Sequence, residues 1–512
     1  MEITVNLAND LRIILRSATW LWPEVTLAIG LMVLLLTDLV MRKKRGGLFI
    51  GVLLLTVLTS GYFLLQQWSL LSIDESLPRF LNTLLVDRLG IYLKSLFSLT
   101  LLFVSLITLR TRIGSQQVGF ERLDQIGEYY LMLLGITLGA SLMVSSVHLL
   151  IIYLAIELVS LSSYVLVNFN FDRKSAKASL KYVLYGSAAS GLMLYGMSLL
   201  YGLTGTLLLT DTVFQEGLQA ASPLLSSLAI GLTISGFLFK VSAVPFHIWV
   251  PDIYEGVPTP VAAFFSVVPK LAGVGLLLRV APILFFSTSS FPGEWLLGII
   301  AMVTMIAGNV AALHQTNAKR MMAYSSIAHS GFLLAGILVA DGWGSHTVLF
   351  YATVYLAMNL AAFWLINLLG ERTNSYQIAN YRGWGLRLPA LGIAMLVVMI
   401  ALTGLPPTAG FTAKLFIFSA LWDAYQQTSQ PQLLYVFAVG LLNTIVALFY
   451  YLKIPYYLFF KKSPELDVSP SPTYFSQILG KIGTFLLVTP LLLLFFKADW
   501  LLAIISQIIS VL

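Results

Sequence analysis

The chain contains no cysteine. Disulfides, cysteine-ligated iron–sulfur clusters and thiolate metal sites are therefore excluded from it. Charge is also scarce: Asp, Glu, Lys and Arg make up 10% of the 512 residues, where a soluble domain carries about 25%. No GxGxxG motif or phosphate-binding glycine loop occurs, so nucleotide and flavin chemistry has no place in this chain. The five histidines (His148, His247, His314, His329 and His346) include no pair at metal-ligand spacing. The formal charge of +7 does not point to nucleic acid, because no basic cluster is interleaved with aromatics. A polar, mixed-charge segment precedes the first span and no cleavage-site pattern is evident, so no signal peptide is expected.

What remains is apolar. Hydrophobic residues make up 58% of the chain and the mean hydropathy is +0.87. Runs of about twenty apolar residues recur along its whole length, each able to cross a hydrocarbon core of about 30 Å. The alternating ten-residue strands of a membrane β-barrel are missing. The expected fold class is an all-α polytopic membrane protein, its partner the lipid bilayer. Hydropathy predicts about fourteen transmembrane helices, near 20–40, 48–66, 89–109, 128–146, 149–169, 182–203, 224–247, 260–284, 295–313, 321–340, 346–369, 389–422, 433–458 and 474–496.

Basic residues collect in alternate loops. One set holds Arg42, Lys43, Lys44 and Arg45, then Arg110, Arg112 and Arg122, then Arg173, Lys174 and Lys177. It continues with Lys319 and Arg320, then Arg372, Arg382 and Arg387, and ends with Lys461 and Lys462. The opposite loops hold little beyond Arg79 and Arg88. By the positive-inside rule the first set is cytoplasmic and both termini lie outside, on the periplasmic side of a bacterial cytoplasmic membrane. One inside loop breaks the pattern with Asp252 and Glu255, for which capping and loop ordering are expected.

Two spans are irregular. The seventh carries Lys240 and Pro245, followed by Pro251, Pro258 and Pro260; the twelfth is interrupted by Gly404, Pro406, Pro407 and Gly410. Proline removes a backbone donor and clashes with the preceding turn, so both helices should break there. Each broken span is the fourth of a five-helix group, helices 4–8 and helices 9–13. Five is odd, so the second group enters the membrane upside down, as inverted repeats around a midplane site do. The expected organisation is 1–127 for helices 1–3, 128–284 and 295–458 for the two repeats, and 459–512 for helix 14 and the tail.

Inside these spans lie four isolated ionisable residues, Glu157, Lys240, Lys270 and Lys414. A charge in hydrocarbon costs a few kcal/mol or more, so such groups face protein or a water-filled path. Desolvation weakens a lysine's hold on its proton, a nearby carboxylate strengthens it, and a close acid–lysine pair titrates as one unit. These residues read as a proton relay in which the acid modulates, Lys240 loads, Lys270 passes and Lys414 discharges. The structural alternatives are an ion pair between Glu157 and Lys240 that only ties two helices, and a Lys270 held by loose carbonyls. His247 and His329 could join the relay or be ordinary structural histidines. Ser242, Thr403, Thr408 and Tyr324 could hold relay waters or act as helix glue. Glu24, Asp38, Lys94, Arg279 and Lys453 lie nearer span ends, where side chains reach the interface.

Three motifs carry a resemblance: FKVSAVPFHIWVPDIYEGVPTPVAAFFSVVPK ending at Lys270, NAKRMMAYSSIAHSGF at 317–332 and LTGLPPTAGFTAKLFIF at 402–418. From about Leu131 to Phe460 the chain resembles the antiporter-like membrane subunits of respiratory complex I, most closely the subunit N (mitochondrial subunit 2) type. The Lys–Pro pattern of the seventh helix is shared with subunits L and M and with Mrp-type antiporters. PDIYEGVPTP followed by Pro269-Lys270 is similar to subunit N, and a lysine at 414 argues against subunit M, where glutamate is usual. The resemblance implies the fifth-helix acid at Glu157, the seventh-helix lysine at Lys240, the eighth-helix lysine at Lys270 and the twelfth-helix lysine at Lys414. It also implies proton translocation within an NAD(P)H-quinone oxidoreductase, with no cofactor in this chain. Flavin, iron–sulfur clusters and quinone belong to partner subunits, beside related membrane subunits and a peripheral redox arm. The alternatives are an Mrp-type cation/proton antiporter subunit, whose sodium site should show paired acids, and a non-conducting membrane scaffold.

Overall fold

Helix caps cut the apolar sequence into long rods. Asp172 caps one of them, its carboxylate accepting from Ser175 N at 2.6 Å, and Gly205 in the left-handed region ends the same rod. Asn317 caps another by accepting from the backbone N–H groups of Lys319 and Arg320. A side-chain oxygen there satisfies donors that the first turn leaves open.

A computed structural model describes residues 15, 17–40, 46–71, 77–80, 82–114, 126–170, 172–286, 292–339, 343–462 and 474–508. Arg42, Lys43, Lys44, Arg45 and Arg122 of the basic loops, and the last four residues of the tail, lie outside the described residues. The helices are α1 (Trp22–Val40), α2 (Gly46–Leu70), α3 (Arg88–Gly114), α4 (Ile126–Ser145), α5 (Leu149–Val167), α6 (Arg173–Thr204) and the short α7 (Thr212–Ala220). They continue with α8 (Pro223–Val241), α9 (Trp249–Gly256), α10 (Thr259–Ala281), α11 (Gly293–Leu313), α12 (Ala318–Ile337) and α13 (Ser345–Thr373). Last come α14 (Trp384–Arg387), α15 (Pro389–Thr403), α16 (Ala409–Thr428), α17 (Pro431–Phe460), α18 (Tyr474–Phe496) and α19 (Ala498–Ile505). The only sheet among the described residues is a hairpin of β1 (Leu77–Arg79) and β2 (Leu84–Val86), on the connection between α2 and α3.

Among the described residues, twelve helices are long and apolar enough to cross a membrane. Two further crossings complete the predicted fourteen. One is α12, whose Lys319, Arg320, serines and His329 dilute its hydropathy. The other is the pair α15 and α16, divided where prolines were expected to divide it. The seventh span likewise splits into α8 and α9.

The bundle is built around α10, all 23 residues of which are buried. Helices α12 and α13 flank it and are almost as enclosed. Close approach depends on small residues, since lipid offers no hydrophobic drive for helix association. At the α11–α12 contact a Cβ on Gly308 would lie 2.5 Å from Ala328 N, and one on Gly331 2.8 Å from Met305 N. Any larger side chain there would force the backbones apart.

Asp252 and Glu255 correct one expectation. They stand on α9 rather than in a loop, and the residue that caps α9, Ile248, makes no side-chain cap. Asp252 accepts from Lys181 at 2.5 Å and from Arg320 at 2.8 Å, and Glu255 accepts from Lys174 and Arg320, each at 3.0 Å. The two acids tie α9 to α6 and α12. They break the positive pattern because their charges are matched by cations of the same face.

Candidate functional site

The site begins where α8 ends. Its last turn carries Lys240, 1% exposed, and Ser242 then takes the left-handed region at φ 64°. The backbone of the break finds a partner on the neighbouring helix, with Val244 N donating to Thr304 Oγ1 at 3.0 Å. Pro245 and Ile248 at the apex of the break are exposed on the outer face of the chain. His247 lies in the same segment, half-buried, its Nδ1 without a hydrogen-bond partner.

Lys240 does not pair with Glu157. Its ammonium donates to Ser160 Oγ at 2.7 Å, one turn along α5 from the acid. Glu157 is half-buried between Leu154 and Leu161, which are 56% and 60% exposed, and its Oε1 accepts no hydrogen bond. The tie between α5 and α8 that the structural alternative gave to Glu157 is thus made by a serine, and the acid stands at the edge of the bundle.

Lys270 is fully buried on α10, one residue after Pro269. Its Nζ donates to Ser326 O at 2.8 Å and to Ser330 Oγ at 3.1 Å, both on α12. The Ser330 hydroxyl donates in turn to Val241 O at 2.7 Å, so one serine joins the Lys270 site to the end of α8. Gly273, one turn after Lys270, lets α10 press against Lys240 and Val241: a Cβ there would come within 3.4 Å of Lys240 Cβ.

His329 lies on the same face of α12 as Ser326 and Ser330. Nδ1 meets Tyr351 OH at 2.6 Å and Nε2 meets Tyr451 OH at 3.0 Å, from α13 and α17. A neutral imidazole donates at one of these nitrogens and accepts at the other. Tyr451 OH also bonds Ser325 Oγ, and Tyr355 OH bonds Ser326 Oγ at 2.9 Å.

Lys414 closes the row. It lies on α16, 4% exposed, and reaches back across the second break to donate to Thr403 O at 2.8 Å. Its Nζ sits 4.7 Å from the centre of the Phe332 ring of α12. Ser326 and Phe332 are six residues apart, about 9 Å along a helix axis at 1.5 Å per residue. Helix α12 therefore spans the gap between the Lys270 and Lys414 sites. Leu405, Pro406 and Pro407 at this second break are exposed, as Pro245 is at the first. Thr408 Oγ1 bonds Leu405 O and Thr403 Oγ1 bonds Met399 O, so both hydroxyls serve their own helices or break.

The other charges divide differently from expectation. Glu24 and Lys94 do not reach an interface; they form an ion pair at 2.5 Å with side chains 5% and 4% exposed. Arg279 holds Asp87 through two bonds of 2.7 and 2.6 Å and also donates to Val144 O. Arg110, counted as a loop cation, pairs with Glu371 at 2.8 Å, and Lys319 is 4% exposed with its Nζ on Val257 O at 2.6 Å. Depth along the chain is what hydropathy reports; which side of a helix faces a neighbour is not. Lys453 donates to Gln315 O at 2.7 Å, and Asp38 lies against Gly127 of α4.

Two broken helices around a row of buried lysines define an antiporter-like membrane subunit. Residues 146–442 match the family described as NADH:quinone oxidoreductase/Mrp antiporter, TM, and the chain belongs to that family. NADH-quinone oxidoreductase subunit N of Anaeromyxobacter sp. (strain Fw109-5) is 39% identical over 463 residues, covering 86% of this chain and 87% of its own length. Among solved structures, a chain of respiratory complex I from Thermus thermophilus matches 95% of this chain and 99% of itself, with TM-score 0.76 and 28% identity. A chain of the Mrp complex from Dietzia sp. DQ12-45-1b matches 96% of each chain with TM-score 0.78, but its 20% identity speaks to the fold alone.

Proposed function

We propose that this chain is the N-type, proton-translocating membrane subunit of a complex I-type quinone oxidoreductase in a bacterial cytoplasmic membrane. Flavin, iron–sulfur clusters and quinone sit in its partner subunits, whose redox chemistry drives it. Protons pass by way of Lys240, Lys270 and Lys414, with Glu157 as the modulating acid and His329 between the second and third lysine. His247, in the first break, is the second histidine available to the path. The two five-helix groups, 128–284 and 295–458, form the repeats that carry the path; 1–127 and 459–512 flank them. Both termini lie on the periplasmic side.

One observation carries this reading. Lys240, Lys270 and Lys414 are all buried, and every hydrogen-bond partner they have is a neutral oxygen. The buried ion pairs elsewhere, Glu24–Lys94, Asp87–Arg279 and Arg110–Glu371, each oppose a cation with a carboxylate. A carboxylate in contact fixes a proton on its lysine, whereas a hydroxyl or carbonyl leaves it free to be exchanged. The clasps hold the bundle, and the lysines are left mobile in charge. Exposed break apices support assembly with other membrane subunits, because backbone at membrane depth is tolerated only against protein or water.

The test is Lys240→Met, which removes the charge and keeps most of the side chain's length. The assembled complex is expected to retain quinone reduction and lose most proton pumping per quinone reduced. Normal pumping in vesicles containing the assembled variant overturns the relay. Between the complex I and Mrp alternatives, the 39% identity to a quinone oxidoreductase subunit favours the first.

A further inference from the structure

Helices α13, α15 and α18 enclose a groove of about 740 Å³ that none of the relay residues lines. It opens on the outer face of the bundle, where Ile393 is 56% and Phe485 69% exposed. Its walls divide by chemistry along the helix axes. Arg110, Arg372, Arg387 and Lys481 line one end, and no Asp or Glu lines any part of it. Glu371, behind the wall, pairs with Arg110 at 2.8 Å and lies next to Arg372 in the chain, so Arg387 and Lys481 are the cations it leaves for a ligand. Arg387 and Lys481 are exposed, Arg387 against the Trp384 ring at 5.6 Å. Beyond these cations the lining is mostly apolar, with Ile393 and Val397 from α15 and Val488 and Leu492 from α18; Thr484 and Thr489 are its polar side chains there.

Dimensions narrow the occupant. The lining of α18 ends at Leu493, twelve residues after Lys481, about 18 Å at 1.5 Å per residue. Half of a hydrocarbon core is about 15 Å. The groove is thus one leaflet long, with its charge at the headgroup level and its apolar part ending near the midplane. A membrane helix of another subunit would need a seam along the full thickness. A soluble anion would have no use for the apolar two-thirds.

We propose that this groove is a binding site for one anionic phospholipid, its phosphate between Arg387 and Lys481 and its acyl chains along Val397, Val488 and Leu492. Basic pockets between helices on the cytoplasmic side suit such headgroups. Assignment to the inner leaflet rests on the orientation proposed above; the lipid site itself does not. Bound there, the lipid would seal α15, the first half of the second broken helix, against α18.

The assembled complex is tested in phosphatidylcholine vesicles containing a photo-crosslinking phosphatidylglycerol. Labelled peptides are expected from α15 and α18, with competition by unlabelled phosphatidylglycerol and not by added phosphatidylcholine. Each cation near a membrane surface gives roughly a fivefold preference for anionic lipid, so Arg387→Gln with Lys481→Gln should cut labelling about 25-fold. A phosphatidylcholine probe that labels equally, labelling that ignores the double variant, or labelling elsewhere overturns the proposal. The absence of native cysteine allows a separate check that needs no charge change. Ile393→Cys should remain uncrosslinked to other subunits under oxidation; a disulfide-sized or bifunctional-reagent crosslink to a partner subunit would mean that protein, not lipid, fills the groove.

Discussion

Replacing Gly404 by alanine perturbs the proposed relay at one point without removing any ionisable group. Gly404 has φ 84°, a conformation that costs an L-residue roughly 1–2 kcal/mol. Its added Cβ would lie 2.7 Å from Lys414 Cδ and 3.2 Å from Cε. Ordinary contact begins at 3.4 Å, so the lysine stem must retreat by about 0.7 Å, the difference from 2.7 Å. Passed on to the ammonium, that shift stretches the 2.8 Å bond to Thr403 O toward 3.5 Å, the limit at which a hydrogen bond is lost. Misplacing a reacting group by about 1 Å can cost on the order of 100-fold in rate, so a shift of this size should cost roughly 25-fold. Gly404→Ala is therefore expected to assemble and reduce quinone while proton pumping per quinone falls about 25-fold. The readout is pH-dye quenching in vesicles, normalised to quinone reductase turnover, with assembly checked on native gels. Gly231→Ala is the control, because a Cβ on Gly231 meets nothing within 4 Å. If Gly404→Ala pumps like the control, the position of the Lys414 ammonium does not govern transfer and the reasoning fails.

At Lys414 itself, Glu keeps an ionisable group and Ala removes it. Lys414→Glu should retain part of the pumping and Lys414→Ala lose most of it, measured at equal assembly; identical behaviour would mean that titration at 414 is irrelevant. Glu24→Gln leaves Lys94 as an uncompensated buried cation, expected to destabilise by about 3–5 kcal/mol. Thermal unfolding of the purified complex should register this while pumping per quinone stays normal; the reverse result would move the Glu24–Lys94 pair from clasp to relay. For topology, tags at both termini should be reachable from outside intact cells and a tag within 41–47 only from inside, whereas termini on opposite faces would exclude fourteen crossings.

Much of the candidate site was legible because the membrane makes it so. Lipid tolerates neither lone charges nor free backbone groups, so Glu157, Lys240, Lys270 and Lys414 stand out in a sequence, as do the prolines at 245, 406 and 407. The partners of those charges were not legible. Ser160 lies one turn from Glu157 and takes the bond to Lys240 that the structural alternative gave to the acid. Tyr351 and Tyr451 reach His329 from two helices that are remote in sequence, and no local pattern announces a tyrosine that points inward. Helix α12 shows the same limit from the other side: the polar residues that lower its hydropathy are what make it the bridge between two lysine sites.

The sequence by itself determined the class of fold, the number of crossings, where two helices break and which side chains bear ionisable groups at depth. Each of these follows from one dimension, the transfer of successive residues into hydrocarbon. Tertiary structure alone decided that Glu24 pairs with Lys94, that Arg110 and Lys319 are internal, and that the three central lysines rest on neutral oxygens. Those outcomes depend on which face of one helix meets which face of another. A buried cation becomes a clasp when a carboxylate faces it, and that choice is made between helices, in three dimensions.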